Sequence, residues 1–498
     1  MREKLVQYKL KCKEYLSHLD IHRLRNYGRY IGVSRPAAKA KDVLIEDIVA
    51  ILAGELPPIP ISKRGAPVKN QQVDETIIQK IEEIKAEFFT NDVLMDIPSY
   101  DFEKRYEEEQ KNGMGMLRFA DPAEEERGFV NGVILRGQVL LENEEYYLYP
   151  EECPEDGAFL PIPLELIKQY DLRIGDVISC QYREKNEKKS VAVILTVNDR
   201  HVNYLTPRGI FEECEVCYSQ ERLHVFKQNK YDKISQKYVQ WLMPITKGQR
   251  VCLVSSPKAG KSKLLLQFAE SIVKLNEQAK CFALLVDQSY ESIVEFRRIF
   301  DKEQLFYTTY EDDADRQVFV ADFVLRRAKR LAESGKDVVL FIDSLTSLAH
   351  AFNDTEASSG GKTLACGLET KTVRYLKKYF GTARCLQGYG SITIIGTLSV
   401  QTGNLADDII ASDLCDLSTT ELWLSAEMAM KRIYPALDLH KARNKQMERT
   451  QSETEEALDF LLRKELLPKI GSEGVLELLS NSQTFEDFER AVKEEKDK

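Results

Sequence analysis

A chain of 498 residues with 43% hydrophobic and 30% charged side chains has the size of about two to four packed domains. Its formal net charge of −10 excludes a global basic footprint, so any nucleic-acid contact must be local. No apolar run approaches the ~18 residues that span a bilayer, and the polar N-terminus lacks a secretory apolar core. The ten cysteines are scattered, and Cys214 and Cys217 have no second pair at zinc-ligand spacing. They read as reduced thiols of a cytoplasmic protein rather than a metal site.

Residues 1–56 carry helical periodicity, with Leu16, Leu19, Ile21 and Leu24 followed by Val43, Leu44, Ile48, Val49 and Leu52. Gly54 and the prolines 57, 58 and 60 end this helical subdomain. Residues 57–127 form a charged linker or insertion, helical around 74–88 and then rich in Glu and Lys without apolar periodicity. Residues 128–205 change to short β-like runs at 132–135, 139–141, 146–149, 177–182 and 191–197, separated by turn residues. That pattern predicts a small barrel. A connector, 206–238, leads to alternating strands and helices over 239–498, the pattern of a parallel-sheet α/β domain.

The α/β region contains the most informative segment. An apolar run 251–254 leads through Ser255, Ser256, Pro257, Lys258, Ala259 and Gly260 into Lys261, Ser262 and an amphipathic helical pattern. Strand, small-residue loop and helix N-terminus together form a phosphate cradle. Backbone N–H groups hold the phosphates, Lys261 reaches the terminal ones, and the Ser262 hydroxyl suits Mg²⁺. Ser255 stands where the consensus has its first glycine. Three more apolar runs end at Asp287-Gln288, Asp343 and Thr397. Strand ends of this kind meet at the carboxyl edge of a sheet, where such folds bind nucleotides. Asp343 suits the carboxylate that holds the Mg²⁺ hydration shell opposite Ser262, so ATP with Mg²⁺ is the expected ligand.

In order along the chain, the segments Pro244-Ile-Thr-Lys-Gly-Gln-Arg250, Pro257-Lys-Ala-Gly-Lys-Ser262, Phe341-Ile-Asp343-Ser-Leu-Thr346, Gly361-Lys362, Phe380-Gly-Thr-Ala-Arg384 and Lys431-Arg-Ile-Tyr-Pro-Ala-Leu-Asp438 resemble the bacterial transcription termination factor Rho family. The similarity covers most of residues 129–480, and residues 15–54 resemble the family's first subdomain. The resemblance implies a multidomain α+β chain: an N-terminal helical subdomain, an OB-type β-barrel and a RecA-like P-loop ATPase domain. It also implies a homohexamer that hydrolyses ATP, draws single-stranded RNA through its centre and releases RNA polymerase, with no membrane association.

Against that family, this chain departs at named positions. Gln288 stands where an acidic residue activates the attacking water, Lys441 where a neighbouring subunit inserts an arginine, and Ser289, Ser347 and Ala426 where other arginines are expected. Arg443 and Lys445 lie near Lys441, and Glu291 is a candidate substitute base whose alternative is a first-turn carboxylate on the next helix. An amide can hold a water but cannot take its proton, and general-base catalysis contributes ~10²–10⁴-fold. A lysine supplies charge without a bidentate fork. The family's aromatic RNA-stacking segment reads Arg136-Gly-Gln-Val-Leu-Leu-Glu142 here, leaving Tyr146, Tyr147, Tyr149 and Phe159 as neighbouring aromatics for bases or for the barrel core. In the first channel loop Lys362 is kept; the second carries the RNA-contact candidates Thr402 and Gly403, with Leu405 in place of a lysine. Two readings follow: an RNA-dependent ATPase translocase, or a slow or inert relative that binds ATP and assembles as a structural or regulatory protein. A rotary or recombinase-type ATPase fits the core but not the helical and β-rich N-terminal half.

Overall fold

The computed structural model describes residues 11–13, 15–31, 33, 39–52, 77, 80–81, 129–154, 159–185, 188–226, 233–357 and 366–497. It divides into two compact units, Met1–Phe119 and Ala120–Lys498. In the first, the predicted periodicity becomes the helices Ile21–Ile31 and Lys41–Leu52. Leu24, Tyr27, Leu44, Ile45 and Ile48 close over Cys12, Leu16, Ile77 and Ile81 in one buried cluster. The Asp20 carboxylate caps the first helix, accepting from the N–H groups of His22 and Arg23 at 2.7 and 3.1 Å. Of the segment 57–127, only residues 77, 80 and 81 are described.

The second unit begins with a six-stranded antiparallel sheet. Its strands are β1 (Phe129–Glu142), β2 (Glu145–Pro150), β3 (Leu160–Pro161), β4 (Val177–Lys185), β5 (Lys188–Val197) and β6 (Arg200–His201), in the order β3-β2-β1-β4-β5-β6. The two runs predicted at 132–135 and 139–141 are one long strand. β1 pairs with β2 along one side and β4 along the other, so its backbone groups find ladder partners throughout the turn-like Arg136-Gly137 interval. Val139, Leu148, Ile178, Cys180, Val191 and Ile194 form the core of this sheet, with Ile167 from the helix Leu164–Gln169.

A two-residue strand β7 (Val216–Cys217) and the helix Ile234–Leu242 lead into a nine-stranded sheet. It contains β8 (Arg250–Ser255), β9 (Lys280–Gln288), β10 (Leu305–Thr309), β11 (Asp337–Asp343), β12 (Arg384–Leu386), β13 (Ser391–Ser399), β14 (Thr420–Leu424) and β15 (Arg443–Asn444). The main path is β10-β9-β11-β13-β8-β14-β15, parallel except for β15, with β12 and β7 attached antiparallel beside β13. Helices cover both faces, which is why the strand interiors are continuously apolar. Val251, Leu253, Ala283, Leu285 and Phe341 pack toward the helix Lys261–Leu275 and the C-terminal helices. Cys252, Val254, Leu284, Val286, Leu340 and Ile342 pack toward the helices Ala314–Glu333, Leu345–Ala357, Thr370–Phe380 and Leu405–Leu417. At Gly396 an added Cβ would stand 2.4 Å from Leu345 Cδ1, so glycine is what lets that helix start directly on β13.

The helix Ala314–Glu333 also clasps the smaller sheet. Leu140, Tyr149 and Cys153 join its apolar cluster, and Gln138 Nε2 donates to Phe323 O at 2.9 Å. Arg327, 6% exposed, ion-pairs with the buried Glu151, and Arg173 reaches Glu333 at 3.1 Å. Among the described residues, no helix is long and apolar enough to cross a membrane.

Candidate nucleotide site at the carboxyl edge of the sheet

Parallel register brings the strand ends together. Ser255 of β8 lies opposite Ser399 of β13 and Leu424 of β14, Asp343 directly follows the pair Ile342–Gly396, and Gln288 ends β9. The loop that leaves β8 turns at Lys258 (φ +66°) and Gly260 (φ +96°) before the helix Lys261–Leu275. Left-handed residues in such a loop turn successive N–H groups to one side, and at Gly260 a side chain would be strained. Ser255, 1% exposed, is accommodated where a glycine was expected because its Oγ donates to Ser256 O at 2.8 Å within the same loop.

Around that loop stands a row of polar groups from different strands. Lys261 Nζ donates to Ser399 Oγ at 2.7 Å. Burial lowers the Lys261 pKa, with the Asp343 and Asp407 carboxylates acting in the opposite sense. Ser262 follows on the same helical turn, half-buried. Asp343, 2% exposed, accepts from Thr397 Oγ1 at 2.6 Å, and Thr346 Oγ1 accepts from the Ser399 N–H at 2.9 Å. Asp287 adopts φ +57° and donates its N–H to Thr308 Oγ1 at 3.2 Å. Burial raises its carboxyl above the usual range, partly offset by His350. The Gln288 amide donates to Val286 O at 3.3 Å.

Ser399, His350 and Asp407 in this row escape local sequence reading. Thr397 and Ser399 close the apolar run of β13, and His350 Nε2 lies 2.6 Å from Asp407 Oδ1, whose Oδ2 accepts from Thr402 Oγ1 at 2.6 Å. The loop carrying Thr402 and Gly403 (φ +92°) is therefore built around Asp407, while Leu405 is 62% exposed beside it. Tyr434, 59% exposed, is the nearest group to the Cβ position of Gly260, at 3.9 Å, and presents a flat ring beside the loop. Its signal lay in plain sight within the segment 431–438.

Other expected residues stand elsewhere. Lys441 lies over the Trp423 ring at 5.6 Å and 3.7 Å from Asp438, and Arg443 is exposed on the edge strand β15 opposite Glu421. Lys445 is engaged by its own domain: its Nζ donates to Cys415 O and Asp416 O and sits 3.3 Å from Glu421. Glu291 is an exposed first-turn carboxylate held low by its own backbone N–H and by Ser289, the residue that caps this helix. Ser347 hydrogen-bonds Ser344 Oγ at the start of its helix.

For the aromatics one expectation is corrected. Tyr149 is 3% exposed, with its hydroxyl donating to Pro154 O and its ring against Phe319 and Phe323, so it is core and has no free face for a base. Phe159 is 43% exposed, 5.7 Å from the half-buried Tyr147 between ring centroids. Lys362 lies outside the described residues.

Comparison with known proteins adds the following. Residues 235–443 match the nucleotide-binding domain of the ATP synthase alpha/beta family. The transcription termination factor Rho of Salmonella typhimurium is 33% identical over 354 residues, 68% of this chain and 83% of that protein. The Rho of Escherichia coli K12 is 32% identical over the same span, and that of Buchnera aphidicola 33% over 348 residues, 67% of this chain and 82% of its own.

Proposed function

The chain belongs to the transcription termination factor Rho family, and from that membership we propose that it acts in the cytoplasm as a termination factor, an RNA-dependent ATP hydrolase. The observation that carries the catalytic half is the polar row Lys261–Ser399 and Asp343–Thr397 beside a loop that opens a buried helix. In this reading Ser256, Pro257, Lys258, Ala259 and Gly260 wrap the phosphates and Lys261 neutralises the terminal ones. Ser262 and Asp343 offer the hard oxygen donors that suit Mg²⁺, and when bound the ion offsets phosphate charge. Gln288 positions water through its amide without accepting a proton. Lys441 and Arg443, exposed before and on the edge strand β15, complete the site of a neighbouring subunit in a homohexamer.

The residues 1–56 serve as the family's helical subdomain, 57–127 as linker or insertion, 128–205 as an OB-type RNA-binding domain, 206–238 as connector and 239–498 as the RecA-like motor. Single-stranded RNA stacks on Tyr147 and Phe159 and meets Lys362, Thr402 and Gly403 in the channel. RNA polymerase is the target of release.

A second reading, an assembling ATP-binding protein with little turnover, is favoured by one observation: Gln288 is an amide held to Val286 O rather than a carboxylate. ATP turnover of purified protein with and without poly-C RNA separates the two. The expected result is RNA-stimulated turnover that falls about 100-fold or more in Lys261→Ala. Wild-type turnover no greater than that of the variant, with ATP still bound, establishes the second reading.

A further inference from the structure

None of the ten cysteines is disulfide-bonded, yet two of them are set for a reaction. β7 and β12 run antiparallel with Cys217 directly opposite Cys385, and their sulfurs are 3.1 Å apart. Both are partly exposed. We propose that Cys217 and Cys385 form a reversible dithiol–disulfide site, oxidised by small disulfides of the glutathione class. A disulfide needs sulfurs ~2.05 Å apart, so a closure of about 1 Å by side-chain rotation is enough, and the paired strands already supply the backbone approach.

Neither the Cys252–Cys415 contact nor Cys214 competes. Cys252 and Cys415 also touch, but both are buried where a small disulfide cannot reach. Cys214 is turned into the Gly209 backbone, where an added glycine Cβ would stand 2.7 Å from its sulfur. Burial, and then the hydrogen bond with Cys217, raise the Cys385 thiol, which disfavours it as the first attacker.

The exchange balances in two steps. Cys217 thiolate attacks one sulfur of the small disulfide, forming a mixed disulfide and releasing one thiol. Cys385 then gives up its proton and attacks Cys217 Sγ, releasing the second thiol; two electrons and two protons leave the pair. The product staples the connector segment, already held by Gln387 N–H donating to Glu215 O at 2.9 Å, onto the β12–β13 hairpin.

The test uses the full chain incubated with oxidised glutathione, blocked with N-ethylmaleimide, digested and weighed. The expected result is a 217–385 cross-linked peptide about 2 Da lighter than its two reduced halves, reversed by dithiothreitol. Cys385→Ser should stop at a stable glutathione adduct on Cys217. A wild-type adduct that persists on Cys217, a cross-link to Cys214, or both thiols remaining alkylatable overturns the proposal.

Discussion

Lys261 is legible in the sequence because a phosphate loop is a local pattern, a small-residue turn between an apolar strand and a helix. Its partner Ser399 lies 138 residues away, and only strand register brings it there. The same holds for Thr397 on Asp343: nothing in the run of β13 says which carboxylate its hydroxyl will hold. Tyr149 stays open in the sequence, base platform or core, for a related reason. It shares a strand face with Tyr147, and burial is decided by the helix Ala314–Glu333, which covers only one end of β2. Gln288 and Lys441 belong at this scale too, as changes of functional group without change of position. Restoring them together as Gln288→Glu with Lys441→Arg should raise steady-state ATP turnover roughly 100-fold or more, within the range that a general base and an arginine finger contribute. An unchanged rate would mean that these positions are not the base and the trans cation.

Among elements, the merged strand β1 and the clasping helix are where local reading ran short. Turn-like residues at 136–137 mark no break because β4 pairs across both and β2 joins at Gly137. Arg327 looks in sequence like one more solvated charge on an amphipathic helix, but it is buried between Glu151 and the Phe282 ring, 4.7 Å from its centroid. Arg327→Met leaves Glu151 buried with Arg136 as its remaining cation. The cost should be about 2–3 kcal/mol, below the ~3–5 of a fully orphaned partner, read as a shift of the first urea transition. Adding Glu151→Gln should recover much of it. A single variant with wild-type unfolding would show that the clasp is apolar rather than ionic.

For the whole molecule, strand and helix alternation announces a parallel α/β sheet. Strand order did not follow from alternation, since each crossover chooses its neighbour by packing on both faces. The proposed trans role of Lys441 and Arg443 makes the site incomplete in one subunit, so Mg-ATP should draw micromolar protein toward a closed ring. Sedimentation velocity with and without nucleotide measures this directly, and a monomer under both conditions would remove the hexamer.

The clasp on Ala314–Glu333 has a mechanical consequence. The small sheet is bolted to that helix by Gln138, Arg173 and Arg327 and cannot hinge freely upon it. The helix in turn follows β10, whose Thr308 hydroxyl holds the backbone of Asp287. A load on the small sheet therefore passes to a helix that starts just after β10, at the carboxyl edge of the large sheet.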